Sequence, residues 1–177
     1  MELKDILNHV NEWLRYAEAK NATIAVFDSA VCISLLALVS EGKTIPFIPD
    51  WYLYSVLLLF LFSATTALIS FLPLLAFAPN KRKKKQSGYN PLFFGHIAKV
   101  SEPDYTESLK ASHIIEESVR PVDGLIINQI HKNAKIAVLK NRVFSVSLWA
   151  VLAAFLTPIV LIVPLVKFFY DRKKSNS

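Results

Sequence analysis

The segment Asn90-Pro91-Leu92-Phe93-Phe94-Gly95-His96-Ile97-Ala98-Lys99 is the most unusual polar-region stretch of the chain. It sets two adjacent aromatics, a permissive glycine and a cation within ten residues. An aromatic ring can stack on a nucleobase, and a lysine can meet a phosphate. The competing reading is plainer: Phe93 and Phe94 plug a small core against the helices around them.

Catalytic constellations are not legible. There is no Walker-type phosphate loop and no GxGxxG. His9, His96, His113 and His131 are scattered without metal-ligand spacing, and the single cysteine, Cys32, lies in a hydrophobic run. Glu116 and Glu117 are adjacent, so they point to different helix faces and read as a solvated edge. The chain is therefore read as a non-enzyme without cofactor or metal.

Two features fall inside apolar runs. Asp28 interrupts the first, and a carboxylate within a span is costly. Either it reaches the interface, about 10 Å from the span's start at 1.5 Å per residue, or it meets another protomer or lines a wet crevice. Ser63, Thr66 and Ser70 stand at i, i+3 and i+7 and form one narrow polar stripe in the second run. Small polar residues serve close helix packing; the alternative is a path for water or ions in an oligomer.

The elements that must position these residues follow from periodicity and breakers. Apolar residues make up 53% of the 177-residue chain and concentrate in three long runs. Leu3, Ile6, Leu7, Val10, Trp13, Leu14 and Ala17 recur at helical steps, so 1–21 reads as an amphipathic helix. No Gly or Pro intervenes before Ser40, so this helix can enter the first span, 22–40, directly. A loop with Gly42, Pro46 and Pro49 leads to the second span, 51–78, opened by Trp51, Tyr52 and Tyr54 as an interfacial belt. A basic region follows at 79–142. In it, Ser101 caps a helix running to about residue 119, with Asp104 three residues on and Pro103 in the first turn. Pro121 starts another helix, which continues into the third span, 143–167, where Pro158 and Pro164 predict kinks. Residues 168–177 form a basic tail. The fold class is all-α: a three-span membrane protein with a small helical cytoplasmic module built from the N-terminal helix and the segment between spans two and three.

Charge sets the orientation. Residues 1–77 carry four Lys/Arg against seven Asp/Glu, 78–142 twelve against six, and 143–177 four against one. The run Lys81-Arg82-Lys83-Lys84-Lys85 belongs on the cytoplasmic side and suits anionic headgroups. No nucleic-acid-reading pattern surrounds it. Two crossings earlier, the N-terminus is also cytoplasmic. The tail is the exception, because Lys167, Arg172, Lys173 and Lys174 fall outside if the third run spans once.

Several stretches, in this order, carry a family resemblance. They are Trp13-Leu14-Arg15-Tyr16-Ala17-Glu18-Ala19-Lys20-Asn21-Ala22, then Asn90 through Lys99, then Tyr105. Gln129-Ile130-His131 and Asn133 through Lys140 complete the series. The chain resembles the transmembrane effectors of bacterial Pycsar antiphage systems; Glu18 stands where aspartate is expected, with the charge kept. The resemblance implies an inner-membrane protein activated by a cyclic pyrimidine mononucleotide, cCMP or cUMP, made by a partner pyrimidine cyclase. It implies a homo-oligomer that impairs the bilayer and aborts infection, with the polar region as sensor. Read onto this sequence, Arg15, Lys20 and Lys99 are candidate phosphate partners, Phe94 a stacking ring and Asn90 a base or backbone contact. The rival function is a nucleotide-independent membrane scaffold or a holin-like pore.

Overall fold

The computed structural model describes residues 2–41, 49–72 and 89–175, with side chains described to Thr157. The elements are α1 (Leu3–Ser40), α2 (Asp50–Ile69), α3 (Phe94–Ile97), α4 (Glu102–Ala111) and α5 (Pro121–Ser175). Among the described residues there is no strand. Three of the helices, α1, α2 and α5, are long and apolar enough to cross a membrane. The all-α, three-span reading holds.

With no breaker in its sequence, α1 runs on for 38 residues. At 1.5 Å per residue it is about 57 Å long, against about 30 Å of hydrocarbon in a bilayer. Pro121 opens α5, where its missing N–H costs nothing. This helix continues for 55 residues. It passes Pro158 and Pro164 without ending and extends through most of the basic tail. Span-length helices absorb such prolines when neighbouring groups satisfy the freed carbonyls. α2 closes at Ile69; residues 73–78 of the predicted second span, and the basic run 81–85, lie outside the described residues.

Ser101 caps α4 as its spacing predicts. Its Oγ accepts the Asp104 N–H at 3.3 Å and donates to the Asp104 carboxylate at 2.6 Å. The other end departs from the sequence reading, because α4 stops at Ala111 and not near residue 119. His113 takes a left-handed backbone, φ 53°. Its N–H reaches the Lys110 carbonyl at 2.9 Å, and the Ile114 N–H reaches the Leu109 carbonyl at 3.0 Å. That pair of bonds is the Schellman motif, which satisfies the last carbonyls of a helix. Glycine usually marks it, so a histidine there hid the stop.

The chain divides into two compact units: Met1–Ala22 with Leu68–Phe144, and Thr23–Ala67 with Ser145–Ser177. In the first unit, Leu3, Ile6 and Val10 of α1 form a core with Phe94, Ile97, Val100, Tyr105 and Leu109. Ile127, Ile130, Ala134 and Ala137 of α5 complete it. The α1 and α5 segments run parallel here. Asn133 Nδ2 donates to Asn11 Oδ1 at 2.8 Å, and Lys140 Nζ donates to Glu18 Oε1 at 2.6 Å. Each pair is separated by 122 residues, so the helices advance one heptad together between the two rungs.

In the second unit, Cys32, Leu57, Phe60, Val151 and Ala154 are the core. Phe27, Phe60 and Phe155 form a ring triad with centroids 5.9–6.3 Å apart. Ser63 Oγ donates to the Ser147 carbonyl at 3.0 Å, and Ser147 Oγ returns the bond to the Ser63 carbonyl at 3.2 Å. Large apolar side chains point outward, with Val26 71% and Trp149 70% exposed. Such a surface is unfavourable in water and at home in lipid.

Candidate functional site

The segment 90–99 is built by a polar turn and an aromatic stack. Asn90 Oδ1 accepts the Leu92 N–H at 2.8 Å, and the Asn90 N–H donates to His96 Nδ1 at 3.0 Å. These bonds turn the chain around Pro91 and aim it into α3. Phe94 then goes inward, where its ring packs 5.1 Å from Trp13 and 4.9 Å from Phe93. The next rings are His96, 5.1 Å from Phe93, and Tyr89, stacked 6.0 Å from His96. Gly95 makes room for this arrangement. A Cβ there would lie 2.6 Å from the Phe93 ring.

The five predicted ligand residues are thus placed differently. Phe94 is 9% exposed and belongs to the core, while its neighbour Phe93, 41% exposed, is the ring that solvent reaches. The plainer reading of this pair holds for Phe94. Arg15 and Lys99 are exposed and have no ion-pair partner among the described residues. Lys20 is engaged: its Nζ sits 4.1 Å from the Tyr16 ring centroid and 5.1 Å from that of Phe144. Asn90 uses its carbonyl in the turn. The contact between Phe94 and Trp13 brings the 90–99 segment onto α1, the helix that carries Arg15 and Lys20.

A buried polar layer beneath this surface escaped the sequence reading. Lys140 is buried against Glu18. Asn21 is fully buried, and its Nδ2 donates to the carbonyls of Ala17 at 2.9 Å and Lys140 at 3.2 Å. His131, 5% exposed, meets the Val100 carbonyl at 2.9 Å through Nε2. Burial holds its pKa below the ordinary 6.5, with the carbonyl bond opposing. Burial likewise raises the Tyr105 phenol, whose hydroxyl has no hydrogen-bond partner among the described residues, and pushes Tyr89 up to about 12. The missed signal was the heptad spacing of Asn11 with Glu18 and of Asn133 with Lys140, which means something only once the two helices are known to pair.

A cavity of about 360 Å³ lies elsewhere in this unit, lined by Leu3, Lys4, Ile114, Arg120, Asp123 and Ile126 among others. None of the five predicted residues lines it. Glu2, Glu116 and Asp123 outnumber Lys4 and Arg120 there, and Asp123 already holds Arg120 at 2.8 and 3.1 Å.

In the second unit, Asp28 is fully buried, and neither carboxylate oxygen has a hydrogen-bond partner among the described residues. Its side chain is covered by the chain's own helices. Ser63 bonds across helices, as close packing requires, whereas Thr66 bonds back to the Phe62 carbonyl of its own helix at 2.8 Å. Ser70, which clusters with the first unit, is buried with no hydrogen-bond partner for its hydroxyl among the described residues. The three hydroxyls of the stripe thus have three different surroundings.

A polar helical module and a lipid-facing bundle that share α1 and α5 define the class: an all-α membrane protein. The Pycsar effector protein domain matches residues 2–167, and the chain belongs to that family. It is similar to the Pycsar effector protein PtPycTM of Propioniciclava tarda, at 25% identity over 132 residues. That alignment covers 75% of this chain and 63% of the relative, so the chain spans less than two thirds of the relative's length. No solved structure matches it.

Proposed function

We propose that this protein is an effector of antiphage defence in the bacterial inner membrane, with its N-terminus in the cytoplasm. A cyclic pyrimidine mononucleotide, cCMP or cUMP, binds the first unit and switches the second to a membrane-impairing state that aborts infection. The ligand comes from a partner pyrimidine cyclase, and the effector acts as a homo-oligomer, without catalysis or cofactor. Family membership over residues 2–167 carries this reading.

The chemistry supports it. A cyclic mononucleotide offers one phosphate charge, a ribose and a base. Arg15 and Lys99 are cations without an ion-pair partner among the described residues, on the unit that carries the aromatic stack, and Lys20 adds a third held over rings. Phe93 offers the stacking face, with Phe94 packed against it and Trp13 against Phe94, and Asn90 Nδ2 is the amide group left for a base or backbone contact. Because α1 and α5 contribute to both units, a ligand that favours one packing of the first unit biases the same helices in the bilayer. It does so only through its differential affinity for the two states.

The test is titration of the detergent-solubilised full-length protein with cyclic CMP, UMP, AMP and GMP. The expected result is a melting shift with a pyrimidine nucleotide that Lys99→Ala and Arg15→Ala each weaken. No shift with any of the four would remove the nucleotide reading. Depolarisation of cells on expression alone would favour the holin-like pore.

A further inference from the structure

Asp28, Ser63 and Ser147 are the buried polar side chains of the second unit among the described residues. The two serines satisfy each other through their reciprocal bonds. Asp28 is left over: buried, with both oxygens unpartnered among the described residues. The Ser63 side chain lies within reach of the Asp28 carboxyl group, yet its hydroxyl hydrogen is committed to the Ser147 carbonyl. A second copy of the chain cannot reach Asp28 in this arrangement, because no part of it is exposed.

An enclosed carboxyl group without a donor is unfavourable where it sits and becomes favourable once water arrives. The closed bundle thus carries a polar load, restrained by the serine pair and the Phe27–Phe60–Phe155 triad. From this arrangement we propose that the second unit opens as a cation path, in which Asp28 is the selectivity-determining residue and the Ser63–Ser147 pair is the latch that keeps it shut. When the latch parts, water reaches Asp28, and an ionised carboxylate in a narrow wet passage gathers monovalent cations and repels anions. This deepens the membrane-impairment reading and rests on it, but it is independent of which nucleotide triggers opening.

The chain supplies its own reporter. Cys32 is its one cysteine, lies one helical turn beyond Asp28, and is buried. The experiment reacts the full-length protein in lipid vesicles, without nucleotide, with a cationic trimethylammonium methanethiosulfonate or its anionic sulfonate counterpart, each rate normalised to free cysteine. Cys32 should be inert in the wild type and reactive in Ser63→Ala/Ser147→Ala. In that background the cationic reagent should be favoured about tenfold, as a carboxylate-lined cleft concentrates counter-ions. Asp28→Asn should abolish the preference, and Asp28→Glu should keep it. Should the double variant fail to fold, Ser63→Ala alone breaks half of the latch and takes its place. Inert Cys32 in the latch variants, or a preference that survives Asp28→Asn, overturns the proposal. Failure of the nucleotide titration leaves this test untouched, so the two readings fall separately.

Discussion

Removing one end of the Glu18–Lys140 ion pair should cost far more than removing the other. The pair is asymmetric: the Lys140 side chain is 8% exposed and that of Glu18 43%. Glu18→Ala strands a buried ammonium. Breaking a buried pair from one side costs about 3–5 kcal/mol, and about 3 kcal/mol is appropriate here because the carboxylate is already half in water. Lys140→Met keeps the packing length and frees a carboxylate that simply rehydrates, for about 1 kcal/mol. With both changes together no charge is stranded, so the double variant should lie near the wild type. At about 2–4 °C per kcal/mol for a chain of this size, Glu18→Ala should lower Tm by about 6–12 °C and Lys140→Met by about 2–4 °C. Thermal unfolding followed by tryptophan fluorescence in detergent reads this directly. If Glu18→Ala is no worse than Lys140→Met, or if the double variant is the worst of the three, burial asymmetry does not govern the pair.

Three further outcomes are expected. His131 titrates below its ordinary 6.5 when folded, so acid favours the unfolded chain, which takes up the proton first; stability should be complete above about pH 6.5 and fall as the pH drops. His131→Gln should flatten that profile in denaturation at pH 7.5 and 5.5. Phe94→Ala should cost about 3–5 kcal/mol as a core truncation, whereas Phe93→Ala should cost about 1 kcal/mol in stability and about 1–3 kcal/mol in affinity for a pyrimidine nucleotide, a split that melting and titration separate. His113→Gly should stabilise the protein by about 1 kcal/mol by relieving a left-handed residue that carries a Cβ, seen as a raised Tm.

Hydrocarbon-length runs and breakers made most of the helical plan legible: α1 without a break, the Ser101 cap and Pro121 as a helix start all follow from local rules. The end of α4 did not, because a left-handed His113 has no local signature. The candidate site was legible in type and not in placement. Two adjacent phenylalanines announce an aromatic cluster, but which ring faces inward depends on where Trp13 stands across the fold. Asp28 was visible as an anomaly; that its side chain is covered within the chain depends on helices distant in sequence. The buried pairs of α1 with α5 are 122 residues apart, a separation that no local pattern reports.

Those two rungs also limit how the first unit can move. If α1 slid along α5 by one heptad, about 10 Å, Glu18 would face Asn133 and the Lys140 ammonium would face nothing. A slide of several ångströms, beyond what the side chains can follow, would break both rungs at once. Twist or splay that keeps the rungs in register avoids that loss, so a stimulus received by this pair of helices leaves it more cheaply by those motions than by a long piston stroke.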